Sequence, residues 1–185
     1  MIKYIQAIIR EFISLKYKFI SNYPDTYVGL RLRKKYWNKK LRNSGYNLQV
    51  RSGAGIGHPN LVDIGNNFIL GNNSLITANS SKGIFIGNDV GVARNVLMHS
   101  ANHNFNDINI PIMEQSINAP KIEYNNRIYS IIIEDNVWIG SQSVILPGSF
   151  IRKGTVISSG SIVSGEFPEN SILMGNPARV IKSRI

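Results

Sequence analysis

The feature that most constrains the fold is a repeat of six residues in the C-terminal half of the chain. Between residues 133 and 168 every sixth residue is Ile or Val: Ile133, Ile139, Ile145, Ile151, Ile157 and Val163. A helix would return an apolar residue every three to four positions and a lone strand every two. A strict period of six instead predicts a repeat architecture in which each unit is one short strand followed by a turn.

The same unit recurs earlier, with interruptions. Further apolar unit starts are Val50, Ile56, Val62, Ile64, Leu70, Ile76, Ile86, Val92 and Met98. We expect three six-residue sides to form one coil, with each apolar first residue stacked inward on its equivalent in the next coil. Strands one coil apart then pair in parallel. About thirteen units predict roughly four coils.

The remaining segments flank or interrupt this repeat. Residues 1–47 are expected to form a basic, amphipathic helical segment, because apolar residues recur at helical spacing between charges. Residues 48–170 form the repeat domain, which residues 104–130 interrupt as a long loop of the kind that is often functional. Residues 171–185 form a turn and a basic tail.

Charge is concentrated at the N-terminus. Residues 1–47 hold eleven Lys and Arg against two acids, while the rest of the chain is almost neutral. This segment could cap the repeat and pack on a neighbouring subunit, or attach peripherally to an anionic membrane surface. A basic cluster without a recognition motif gives little reason to expect nucleic-acid binding. The charges within residues 1–20 argue against a membrane span, and the chain has no cysteine.

Several motifs within the repeat resemble one enzyme family. Val137-Trp-Ile-Gly-Ser141, Ile145-Leu-Pro-Gly148 and Gly175-Asn-Pro-Ala-Arg-Val-Ile181 are similar to the C-terminal half of the hexapeptide-repeat acetyltransferases, which include the maltose, galactoside and surface-polysaccharide O-acetyltransferases. The loop text His103-Asn-Phe-Asn-Asp107 is nearest to the polysaccharide branch. The resemblance covers residues 50–182. It implies an all-β fold, a left-handed parallel β-helix, and a homotrimer with active sites between subunits.

Transfer of an acetyl group to a hydroxyl needs a base, and a neutral imidazole suits this role. His103 lies where the repeat gives way to the loop, and the resemblance aligns Met98-His-Ser-Ala-Asn-His103 with the family's catalytic stretch. We therefore expect His103 to be the general base. His99 is a candidate for a supporting role, and Asp107 or Glu114 for orienting the ring. His58 is expected to be a corner residue.

The resemblance also implies the remaining site residues. Acetyl-CoA would be the donor and no metal is expected. Residues matching the family's coenzyme-binding positions are Trp138, Ser141, Ser159, Ser164, Gly165, Arg179 and Lys182. The acceptor candidates are Asn72 and Asn73.

These observations predict an acetyl-CoA-dependent O-acetyltransferase that modifies a sugar hydroxyl, in capsule or O-antigen synthesis. The expected location is the cytoplasm, with peripheral contact at the inner face of the membrane. The alternatives are N-acetylation of an amino-sugar nucleotide or another small amine, and a non-catalytic structural β-helix.

Overall fold

Three parallel sheets form the body of the protein, and the hexapeptide units supply their strands. The computed structural model describes residues 2–184. In chain order the elements are α1 (Ile2–Asn22), α2 (Tyr27–Asn38), β1 (Asn43–Ser44), β2 (Gln49–Val50), β3 (Gly55–Gly57), a 3-10 turn (Pro59–Leu61), β4 (Val62–Ile64), β5 (Ile69–Leu70), β6 (Leu75–Thr77), β7 (Ile84–Ile86), β8 (Gly91–Val92), β9 (Leu97–His99), β10 (Asn102–His103), a 3-10 turn (Ile112–Glu114), β11 (Ile117–Asn118), β12 (Ile122–Tyr124), β13 (Arg127–Tyr129), β14 (Ile131–Ile133), β15 (Trp138–Ile139), β16 (Val144–Ile145), β17 (Phe150–Ile151), β18 (Val156–Ile157), β19 (Ile162–Val163), β20 (Glu166–Phe167), β21 (Ser171–Gly175) and β22 (Ala178–Ser183).

The strands stack into the three faces of a prism. Face A has the order β1-β4-β7-β14-β17-β20, and face B has β2-β5-β8-β15-β18-β21 with β22 antiparallel at its end. Face C has the order β3-β6-β9 followed by β16 and β19. The chain visits A, B and C in turn, which confirms the predicted parallel β-helix. Faces A and B have six parallel strands and face C has five, more than the roughly four coils predicted, because β1, β20 and β21 also pair although they lie outside the regular repeat.

The first residue of each unit forms the core. Ile139, Ile145, Ile151 and Ile157 are fully buried. The fifth residue is buried as well, and its hydroxyl closes the turn: Thr155 donates to the Arg152 carbonyl at 2.7 Å. Small Ser or Thr is therefore favoured here, because the side chain satisfies a corner carbonyl without occupying core volume.

Two kinds of residue shape the corners. Gly71, directly after a buried Leu, has no room for a side chain, since a Cβ there would lie 2.4 Å from the Ala93 carbonyl carbon of the next coil. Asn73, two residues later, has φ +58°, a conformation that Gly and Asn adopt most readily. The close approach of the next coil thus explains the glycine at position 71, and the positive φ explains the asparagine at position 73 of the same turn.

The N-terminal helices are attached to the first coils through a buried arginine. Arg33 of α2 is fully buried and donates from Nε to the Val50 carbonyl at 2.6 Å. Its guanidinium also pairs with Asp25. Asp25 accepts from the Ser52 backbone N–H at 2.8 Å and from the Asn72 amide at 2.7 Å. These bonds join the helical segment to two successive coils.

Helix α1 projects from this attachment. Its last turn contacts the body, where Ile20 and Ser21 are buried and the Gly53 N–H donates to the Ser21 carbonyl at 2.9 Å. Earlier along the helix, an exposed face carries Tyr4, Ile8, Phe12, Leu15 and Phe19. Within residues 2–184, no helix combines the length and apolar character needed to cross a membrane.

The segment predicted as a long loop folds back over face A. Strands β10 and β11 pair at its root, and β12 and β13 form a hairpin beyond them. The Tyr124 ring contacts Phe85 and Phe150, the outward residues of two face A strands, with centroids 4.9 and 5.8 Å away. Ile132, also on the outer side of face A, is fully buried as a result. Face A is therefore covered by the chain itself.

Candidate active site

His103 lies at the corner where the chain should pass from face C to face A, called here the C–A corner. It is the last residue of β10 and stands opposite Ile117 of β11. The ring is partly buried, and its Nδ1 is fully buried without a hydrogen-bond partner among residues 2–184. A buried, unpaired polar atom is costly and often marks a functional position.

His99 is held differently. It ends β9, and its Nδ1 lies 3.2 Å from the Ala101 carbonyl oxygen. A carbonyl only accepts, so this contact fixes the proton on Nδ1 and leaves Nε2 as the acceptor. His58 occupies a turn with φ +51°, as expected of a corner residue.

Asp107 serves the loop rather than His103 within the described chain. Its carboxylate accepts from the Asn109 N–H at 2.9 Å, and its backbone carbonyl accepts from Gln115 Nε2 at 2.8 Å. Gln115 also donates to the Ile110 carbonyl at 2.9 Å. Among residues 2–184, no hydrogen bond joins Asp107 or Glu114 to the His103 ring, so an orienting carboxylate stays a prediction.

The predicted coenzyme residues lie on two edges of the prism. Ser141 and Ser159 follow β15 and β18 in the turns from face B to face C, where the Gly160 N–H donates to the Ser141 carbonyl at 2.9 Å. Ser164 and Gly165 follow β19 at the C–A corner. One subunit alone therefore does not bring the four residues together.

Trp138 lies on the outer side of face B and is half exposed. A cavity of about 330 Å³ surrounds it and is lined by Ile69, Val156 and Arg184. The ring rests over Gly91, where a Cβ would come within 2.7 Å of it. The cavity therefore has an aromatic wall and a nearby guanidinium.

Arg179 and Lys182 lie on β22, which pairs antiparallel with β21 at the end of face B. Arg184, which the motifs did not indicate, is the cation of this tail that lines the Trp138 cavity, and it donates to the Gly154 carbonyl at 2.7 Å. Only its basic character in a basic tail could have suggested it.

The proposed acceptor residues lie elsewhere. Asn72 donates its amide to Asp25 and so belongs to the attachment of the N-terminal helices. Asn73 is the positive-φ residue of the same turn, between faces B and C. His103 is at a different corner, so a role for either Asn toward the acceptor of the same subunit stays a prediction.

Asp63 holds the excursion that begins at His103. It accepts hydrogen bonds from Arg42, from the Asn43 amide at 2.6 Å and from the Tyr129 hydroxyl at 2.6 Å. Burial opposes the charge on Asp63, but these three donors outweigh it and lower its pKa. For Tyr129, burial and then the bond to Asp63 raise the pKa to about 12. The phenol therefore stays protonated and fastens β13 to face A.

The side chains near His103 that could ligate a metal ion are oxygen donors and imidazoles. Within residues 2–184, no group of three or more His, Cys, Asp or Glu side chains is arranged to hold a metal ion. What the site offers is one positioned imidazole, an aromatic wall and several cations. Such a set suits proton transfer and the binding of an anionic ligand.

Two curated relatives show what the sequence is similar to. It is 30% identical over 171 residues to the galactoside O-acetyltransferase of Escherichia coli strain K12, which covers 91% of this chain and 75% of the relative. It is 31% identical over 110 residues to a protein of the same strain provisionally named a lipopolysaccharide biosynthesis O-acetyl transferase, covering 60% of this chain and 55% of the relative. The chain spans 42% to 60% of the first three curated relatives it matches. No family profile matches the sequence.

A solved structure supports the same relationship. The crystal structure of a maltose O-acetyltransferase from Clostridium difficile 630 matches with a TM-score of 0.74 and 27% identity, covering 94% of this chain and 85% of that one. Its similarity extends over the helices as well as the coils, since so little of the chain is left out. With the hexapeptide units and the three parallel sheets, these relationships show that the chain belongs to the hexapeptide-repeat acetyltransferases.

Proposed function

We propose that the protein is an O-acetyltransferase that moves an acetyl group from acetyl-CoA to a sugar hydroxyl. The observation that carries this proposal is His103. In a family that includes proteins named for O-acetyl transfer, this chain places one partly buried imidazole at the root of its only long excursion from the described coils. A rigid scaffold that holds an otherwise unpaired base is suited to general base catalysis.

The proposed mechanism is direct transfer. In this mechanism Nε2 of His103 takes the proton of the sugar hydroxyl as its oxygen attacks the thioester carbonyl carbon, a role that the burial of Nδ1 supports. The new C–O bond forms, a tetrahedral intermediate collapses, and the C–S bond breaks. The imidazolium then returns the proton to the leaving sulfur, so that free CoA departs and His103 is neutral again.

The donor is proposed to bind against Trp138, near the cations of the C-terminal tail. The cavity beside the Trp138 ring has room for part of an extended arm, and Arg184 supplies positive charge there. Arg179 and Lys182 extend that charge along β22. Phosphates are bound by such groups through charge-assisted hydrogen bonds.

We also propose a homotrimer. Face A is covered by the hairpin, whereas faces B and C expose outward apolar residues, including Leu75, Leu97 and Trp138. Flat apolar faces of a repeat favour side-by-side association. Sedimentation of the purified protein tests this: a monomer at micromolar concentration would contradict it.

The proposed acceptor is a sugar of surface-polysaccharide synthesis, and the proposed location is the inner face of the membrane. Helix α1 supports this with exposed apolar side chains at positions 4, 8, 12, 15 and 19, which share one side of the helix. A second copy of this segment would bring like charge, because residues 1–47 hold eleven basic and two acidic side chains. An anionic bilayer complements both the charge and the apolar face.

Co-sedimentation with vesicles tests the membrane contact. We expect binding to vesicles that contain phosphatidylglycerol and little binding to pure phosphatidylcholine. Phe12→Asp should weaken binding about tenfold or more, since it places a charge in the apolar face. Phe105→Asp, at an equally exposed aromatic outside the helix, is the control. Unchanged binding after deletion of residues 1–20 would contradict the proposal.

Thiol release from acetyl-CoA in the presence of a panel of sugars tests the reaction. His103→Ala should lower kcat about 10²–10⁴-fold, the usual contribution of a positioned base. His58→Ala is the matched control, and circular dichroism verifies the fold of both. Normal turnover by a folded His103→Ala variant would refute the site. Product in which only an amino group of the sugar is acetylated would favour the N-acetyltransferase alternative.

A further inference from the structure

A second cavity lies between the hairpin and the solenoid, and its walls are basic. It has a volume of about 660 Å³, within the range of small-molecule sites. Four cations line it: Arg42, Lys82, Lys121 and Arg127. Two of them come from the solenoid side and two from the hairpin segment, so the cavity exists only when the hairpin is docked.

The charge in this cavity is not neutralised by the chain. Arg42 pairs with Asp63, but that carboxylate already accepts from two further groups. Lys82 Nζ donates to the Ala119 carbonyl, which carries no charge. Among residues 2–184, Lys121 and Arg127 form no ion pair. The cavity therefore has at least three positive charges without a carboxylate of their own.

The backbone that carries Arg127 is also fixed in place. Asn125 and Asn126 form the tight hairpin turn with φ +49° and +60°, which sets the start of β13 and thus Arg127. The bond from Tyr129 to Asp63 holds the other end of the same strand. Cations on a fixed frame lose less conformational entropy on binding than cations on a free loop.

The position of the cavity relates it to the active site. Arg42 precedes β1 and Lys82 precedes β7, so both lie at the C–A corner, as does His103 after β9. Lys121 is three residues beyond Asn118, a stretch that spans at most about 10 Å. Asn118 pairs with Asn102, the neighbour of His103. The cations and the base therefore share one edge of the molecule.

We propose that this cavity binds a phosphate or diphosphate group, and that this group links the acceptor sugar to its carrier. The second part rests on the proposed function. Excess fixed positive charge with guanidinium and ammonium donors is the chemistry that recognises phosphate. A phosphate bound here would hold the attached sugar beside His103, which favours a phosphate-linked sugar over a free one.

Calorimetric titration with inorganic pyrophosphate, without acetyl-CoA, tests the site itself. We expect saturable binding at physiological salt, weakened about tenfold or more in a Lys121→Ala/Arg127→Ala variant, since both charge-assisted hydrogen bonds to the phosphate are lost. Arg94→Ala/Lys153→Ala removes one Arg and one Lys outside the cavity and should change the affinity less than about twofold. The absence of saturable binding, or equal weakening in both variants, overturns the inference.

Steady-state kinetics distinguish a failure of the cavity proposal from a failure of the proposed function. If transferase activity is found, the cavity variant should lower kcat/KM for a nucleoside-diphosphate sugar or a diphosphate-lipid-linked sugar in vesicles, and leave kcat/KM for the free sugar unchanged. The carrier that responds identifies the source of the phosphate. Pyrophosphate binding in a protein without transferase activity would refute the proposed function alone. Transfer to free sugars without pyrophosphate binding would refute the cavity alone.

Discussion

Replacing Tyr129 with Phe removes one hydroxyl from the contact that fastens the hairpin to face A. The Tyr129 side chain is 2% exposed, and its hydroxyl donates to Asp63 over 2.6 Å. A hydrogen bond to a charged group contributes about 1.5–3 kcal/mol. Because Asp63 keeps Arg42 and Asn43, we expect a loss of about 2 kcal/mol, which lowers Tm by about 4–8 °C for a chain of this size.

The same contact has a defined pH dependence. The pKa of Tyr129 is raised from 10.0 to about 12, first by burial and then by the bond to Asp63. A raised folded-state pKa means that the protonated phenol stabilises the fold. Its contribution is complete below pH 10.0 and is lost as the pH rises through about 12. The wild type should lose this increment and the Phe variant should not, so their stabilities converge.

Urea unfolding followed by circular dichroism, at one protomer concentration, measures both effects. Tyr46→Phe is the control, because Tyr46 is 66% exposed and lies outside the contact with Asp63. Tyr129→Phe should have a lower free energy of unfolding than the wild type at about pH 8, and this difference should shrink at about pH 11. Equal stability of the wild type and Tyr129→Phe at pH 8 would refute the proposed role of this hydrogen bond. The same would follow if the stability of Tyr46→Phe depended on pH as that of Tyr129→Phe does.

Three further substitutions test the packing. Arg33→Met should lower the free energy of unfolding by about 3 kcal/mol, because it leaves Asp25 without its buried partner. Thermal unfolding measures this loss, and a loss below about 1 kcal/mol would contradict the prediction. Ile151→Ala should lower it by about 2–5 kcal/mol in urea unfolding, since the side chain is fully buried between coils. Gly91→Ala should displace the Trp138 ring and shift its fluorescence to longer wavelength, with a stability change near 0.5 kcal/mol; an unchanged spectrum argues against the contact.

The period of six predicted the coils because burial selects the same position in every unit. Every unit start from Val50 to Val163 is buried. The sequence did not indicate β1, since Asn43 and Ser44 carry no apolar signal and pair only because β4 lies beside them. It likewise gave no sign of the hairpin, whose docking depends on Tyr124 and on residues far away in the chain.

The position of His103 at the root of the excursion was predictable, whereas its role as the base stays a prediction. His103 stands out because the repeat fails there, a local signal that one sequence contains. The basic cavity was not predictable, since Arg42, Lys82 and Arg127 are separated by up to 85 positions and only the coiling brings them to one corner. The engagement of Asn72 with Asp25 is equally non-local. Long-range contacts of this kind leave no period in the sequence.

The hairpin over face A also limits how copies of the molecule can assemble. A prism with three exposed faces could contact another copy on every face and form an unlimited two-dimensional array. With Ile132, Phe85 and Phe150 already covered by the chain's own hairpin, two bare sides remain. Two sides that meet at one edge can close a small ring but cannot tile a plane. The excursion that carries the candidate base would then also keep further copies from adding across face A.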